Sequence, residues 1–106
     1  MRKINILGTQ YEVIKQTEKE NPKLKDANGL CEPYTRQIIH TELKPGIDVF
    51  DNIEAFNRKT LRHEIIHAFF VESGLTEYTE DEVLVEWIAV QFPKISQAMK
   101  DLEVEK

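Results

Sequence analysis

From Ile53 to Val71 the chain carries apolar residues at a helical repeat. Ile53, Phe56, Leu61, Ile65, Ala68 and Phe69 make one stripe, and Ile66, Phe70 and Val71 lie off it. Apolar side chains therefore cover most of the circumference, the pattern of a helix enclosed by the rest of a fold. Asp51 is placed to cap its N-terminus, with Glu54 at the third helical position, and Ser73-Gly74 supplies a stop. A chain of 106 residues and 12.4 kDa has material for one domain around one core, residues 1–106, so this helix should be its centre.

The first half of the chain reads as strands. Lys3–Leu7 and Gln10–Ile14 alternate about Gly8-Thr9, which predicts a hairpin closed by a type II′ turn. Asn21-Pro22 and Asn28-Gly29 mark a loop. Arg36–His40 reads as another strand, closed off by Pro45-Gly46, with Leu30-Cys31-Glu32 pairing to it across Pro33-Tyr34-Thr35. Beyond the long helix, Thr79-Glu80-Asp81-Glu82 has the form of a capping box. It opens a second helix through Val83, Val85, Trp87, Ile88, Val90 and Phe92. Pro93 should kink or interrupt that helix, and Ile95–Val104 continues it. The predicted fold is α+β: a small antiparallel sheet followed by two substantial helices, the second Pro-kinked.

Composition narrows the class. With 41% apolar and 31% charged residues the chain is neither a disordered tail, a fibrous repeat nor a membrane-spanning protein. Its N-terminal apolar stretch is too short for a signal peptide, and no window approaches a bilayer span, so a cytoplasmic location is expected. The net charge of −5 speaks against a nucleic-acid partner, because the Lys15–Lys25 stretch is broken by acidic residues. Cys31 is the single cysteine, which agrees with a reducing compartment; with no base obviously beside it, it reads as a strand residue.

Within the long helix lies His63-Glu64-Ile65-Ile66-His67. Histidines four apart project from one helical face, where two imidazoles reach one metal ion and Glu64 stands ready to take a proton from water. The competing reading is a pair of core histidines bonded to backbone carbonyls, with Glu64 exposed. A catalytic zinc has three protein ligands and an open position. Cys31 and His40 are available as a third, but Glu86, on an apolar face among Val83, Ala89 and Val90, is the better candidate. Glu82, one turn earlier, is expected to cap the helix; it is the fallback ligand, or a carboxylate that orients a histidine.

His63-Glu64-Ile65-Ile66-His67, eighteen further residues and then Glu86 resembles the HExxH-x18-E spacing of gluzincin metallopeptidases. Glu86-Trp87-Ile88-Ala89-Val90-Gln91-Phe92 is similar to the E-x-x-A-x-x-F pattern of small ImmA/IrrE-type peptidases of phages and mobile elements. The resemblance covers roughly residues 29–92. It implies a minimal zincin-like domain, one Zn2+ per chain, and peptide hydrolysis with Glu64 as general base. It also implies a protein or peptide substrate docked on an edge strand beside the metal, for which Arg36–Thr41 is the candidate. An oxyanion stabiliser is expected among Tyr34, Tyr78, His40 and Arg36. The alternative is a non-catalytic, metal-stabilised interaction module, phage-encoded in one version, in which the same site clamps two helices.

Overall fold

The computed structural model describes residues 2–42 and 52–105. Strands β1 (Arg2–Ile6) and β2 (Thr9–Lys15) form the expected hairpin, with Ile6 opposite Thr9 and Arg2 opposite Val13. That register makes Leu7 and Gly8 the connection. Both have positive φ, 51° and 93°, so the turn is type I′ and not II′. The Gly8 amide donates to Asn5 Oδ1 at 2.9 Å and holds the turn closed.

Strands β3 (Gly29–Glu32) and β4 (Gln37–His40) pair antiparallel across the Pro33–Arg36 turn. The sheet order is β1-β2-β4-β3, and β4 runs parallel to β2. The sheet is therefore mixed, where an antiparallel one was expected. Residues 16–28 carry the chain past the position of β4, through a 3-10 turn at Pro22–Leu24, so β3 forms the outer edge and β4 inserts behind it. This corrects the placing of the edge: the strand within Arg36–Thr41 is internal, with Ile38, Ile39 and His40 buried, and β3 is the edge on this side of the sheet, β1 on the other.

Helix α1 (Ile53–Glu72) lies across one face of the sheet. Ile6, Tyr11, Val13 and Ile38 meet Ala68, with Leu61, Ile65 and Cys31 packed around them. Asn52 caps the helix by accepting from the Ala55 amide at 3.0 Å, one residue after the expected Asp51. Asp51 and Pro45-Gly46 lie outside the described residues. The helix stops as expected, with Gly74 at φ 77°. Its last residue is tied to β2, because the Thr9 and Tyr11 hydroxyls each donate to the Glu72 carboxylate at 2.7 Å.

A short helix α2 (Thr76–Thr79) precedes α3 (Glu82–Asp101). Asp81, not Thr79, caps α3, accepting from the Leu84 amide at 3.0 Å. The expected capping box does not form because the Thr79 hydroxyl is engaged by His67. Helix α3 runs through Pro93 without interruption. Proline there removes the amide that would serve the Ala89 carbonyl, and Arg62 replaces it, donating through Nε at 2.7 Å. Helix α3 packs on α1. Phe69 stays exposed and Ile66 and Phe70 half-buried, so α1 is not enclosed on all sides. No helix among the described residues is long and apolar enough to cross a membrane.

Candidate metal centre

His63 and His67 stand one turn apart on α1, and α3 begins opposite them. Because Glu82 is the first residue of α3 and has no capping duty, its carboxylate reaches across. Glu82 Oε2 lies 3.0 Å from His63 Nε2, and Oε1 lies 3.0 Å from His67 Nε2. The two Nε2 atoms are 3.2 Å apart. The ligand atoms of His63, His67 and Glu82 all fall within 4.8 Å of one another, a group that could hold a metal ion.

The far nitrogens are committed elsewhere. Thr79 gives its hydroxyl proton to the His67 carbonyl at 3.3 Å, so it accepts from His67 Nδ1–H at 2.8 Å. Glu86 Oε1 accepts from His63 Nδ1–H at 2.9 Å, and Glu86 Oε2 accepts from Lys59 Nζ at 2.9 Å. These partners place a proton on Nδ1 of each imidazole, and in a neutral ring that leaves the Nε2 lone pair facing the Glu82 carboxylate. Three electron-pair donors converging at such distances repel unless a positive charge is shared between them. Burial holds the His67 imidazole below its ordinary value, which disfavours a proton on that ring. Two imidazole nitrogens and a carboxylate oxygen suit zinc.

The expected order of the two carboxylates is thus reversed in the geometry: Glu82 meets both Nε2 atoms, and Glu86 meets Nδ1 of His63. Burial alone would raise the Glu86 carboxyl, but the hydrogen bonds from Lys59 and His63 hold it below the usual carboxylate range. It stays ionised and orients its histidine, as carboxylates behind metal-bound imidazoles do.

Glu64 is 7% exposed, against the reading that leaves it in solvent. Burial, reinforced by the charge of Glu82, pushes its carboxyl up to about 7, with His63 and Lys59 opposing the rise. Glu64 fits beneath β3 because residue 29 is glycine. A Cβ there would stand 2.9 Å from Glu64 Cγ and 3.0 Å from its Oε2. A cavity of about 520 Å3 opens over the group, walled by Gly29, Leu30, Cys31 and Pro33 on one side and by His63, Glu64, His67 and Glu82 on the other.

Cys31 reaches this cavity but stands outside the three-residue group, and His40 is buried in β4 away from it. Tyr34, Tyr78 and Arg36 do not line it either. Three contributors were not singled out from the sequence. Lys59 had a signal, since it precedes His63 by four on the same helical face; Thr79 was read only as a cap, and Gly29 only as a loop residue. No family model, curated protein or solved structure matches the chain.

Proposed function

We propose that the chain is a zinc-dependent peptidase that shares the HExxH motif of the gluzincins but takes Glu82 in place of Glu86 as third ligand, so that His63, His67 and Glu82 hold the metal and Glu64 moves the proton. The convergence of both Nε2 atoms on one carboxylate carries this reading. Zinc bound there supplies a Lewis acid for the scissile carbonyl and lowers the pKa of water towards about 7. Glu64, buried at the cavity floor, accepts the proton of the attacking water on its carboxylate and returns it to the leaving amine. Glu86 and Thr79 hold the imidazoles in the ligand tautomer.

The substrate fits as an extended segment. Thr41 donates to the Asn28 carbonyl at 3.0 Å, which fixes the alternation along β3. Leu30 and Glu32 bond to β4, while the main-chain groups of Gly29 and Cys31 face the outer edge beside the cavity. A peptide adding to that edge would bring a carbonyl over the histidines. Cys31, the single cysteine, suits action inside the cell.

Elemental mass spectrometry on untagged protein should give about one zinc per chain. His67→Ala and Glu82→Ala should lose it, while Glu86→Gln should keep it with an affinity about 10 to 100-fold weaker. Glu64→Gln should retain the metal and lower the cleavage of an unfolded protein substrate by about a hundredfold or more. Zinc absent from wild-type protein even after loading overturns the reading. A chain that binds zinc, cleaves nothing and unfolds on chelation is the non-catalytic module instead.

A further inference from the structure

Behind the histidines a line of contacts ends in Lys59. Phe56, Lys59 and His63 follow one another on α1 at spacings of three and four, so they share a helical face. Lys59 Nζ lies 4.7 Å from the centre of the Phe56 ring and donates to Glu86 Oε2 at 2.9 Å, and its side chain is only 23% exposed. A lysine ammonium is ordinarily a strongly hydrated charge on a flexible stem. Here it is committed to an aromatic face and to one carboxylate oxygen.

That carboxylate is the one behind His63. Glu86 Oε1 accepts from His63 Nδ1–H at 2.9 Å, so its two oxygens are divided between α1 residues one turn apart. The Glu86 side chain is 42% exposed, and a single hydrogen bond would leave such a carboxylate free to turn into water. With Oε2 tethered to Lys59, Oε1 is aimed at the His63 ring. The tether also separates the roles of Glu86 and Glu82, which lie one turn apart on α3 and both meet His63. Lys59 stands one turn before His63 and His67 one turn after it, so the tether draws Glu86 to the Nδ1 side and leaves both Nε2 atoms to Glu82. Lys59 itself does not line the cavity over the histidines.

The geometry points to Lys59 as a positioning residue, which acts through Glu86 to hold the His63 ring with Nδ1–H bonded and Nε2 turned to the metal group. Its consequence for zinc rests on the proposed function, whereas the ring contact belongs to the chain with or without metal. An ordinary ion pair between α1 and α3 predicts something else, because such a pair contributes little and leaves the histidine ring as it was.

Nuclear magnetic resonance of the full chain, zinc-loaded or metal-free, should show a His63 Nδ1–H signal slow to exchange with water, assigned by its absence from His63→Ala. Lys59→Met keeps the apolar stem and deletes the donor. It should leave the far-UV circular dichroism unchanged and speed exchange of that proton by about tenfold or more. Zinc affinity should fall by about tenfold or more, with no further fall when Lys59→Met is added to Glu86→Ala. Lys59→Arg, which still donates to Oε2, should recover most of both losses. A wild type without the slow signal overturns the proposal, and so does a Lys59→Met chain that keeps either the wild-type affinity or the wild-type signal. Losses from Lys59→Met and Glu86→Ala that add would have Lys59 act on the site without Glu86, and overturn it equally. If the wild type takes up no zinc, the peptidase reading falls by itself. The ring signal then decides for Lys59 alone: its loss in Lys59→Met upholds the positioning role, and its survival ends it.

Discussion

Gly29 and Cys31 lie on the same side of β3, and both press on α1 where it carries the histidine motif. Gly29 makes room for Glu64, and Cys31 turns its thiol toward the core formed with Leu61 and Ile65. Burial, with the charges of Glu64 and Glu32 adding to it, pushes the Cys31 thiol up to about 12. A raised thiol pKa favours the neutral form, so at pH 8 the folded chain holds about a thousandfold less thiolate than a free cysteine. Reaction with a disulfide reagent should therefore be slow at pH 8, should accelerate only well above pH 9, and should become immediate in denaturant. A free-cysteine rate at pH 8 in the folded protein would show that β3 does not pack on α1 this way. The motif His63-Glu64-Ile65-Ile66-His67 was legible in the sequence, but the choice between Glu82 and Glu86 was not. Both lie on one face of α3, four residues apart, and their roles depend on where the helix begins. Thr79 and Asp81 are both good caps; only the contact between Thr79 and His67 decides for Asp81.

Among the elements, α3 shows how a helix tolerates a proline when a neighbour supplies the missing donor. Pro93 removes the amide four residues beyond Ala89, and Arg62 of α1 donates to that carbonyl across the helix pair. The bond thus serves both the continuity of α3 and the docking of α3 on α1. Arg62→Met keeps the apolar stem and deletes the donor, and should cost about 1 to 3 kcal/mol in chemical denaturation. Pro93→Ala returns an amide to Ala89, so in that background the same substitution should cost clearly less. The double-mutant cycle reads the difference. Equal costs in the two backgrounds would mean that Arg62 stabilises α3 only by packing. The sequence marked Pro93 as a break because the local rule is sound, and it offered no hint that an arginine twenty-seven positions before Ala89 would repair it.

For the whole molecule, the alternating segments of the first half and the helical repeats of the second were enough to place four strands before two long helices. Alternation reports which face of a strand is buried, and it is silent on which strand lies beside which. The order β1-β2-β4-β3 comes from the path of residues 16–28, where a mostly charged and polar loop around the buried Leu24 leaves no periodic trace. The difference matters because it decides which strand is free to receive a partner. In this order every amide from Gln37 to His40 is bonded, those of Ile38 and His40 to β2 and those of Gln37 and Ile39 to β3. On β3 only Leu30 and Glu32 point inward. Hydrogen exchange followed by NMR should then show four successive protected amides in β4. Along β3 protection should alternate, with Gly29 and Cys31 exchanging fast. An all-antiparallel sheet with β4 at its edge gives the reverse, alternation in β4 and continuous protection in its neighbour. That outcome would move the open edge away from the histidines and leave an extended peptide nothing to pair with beside them.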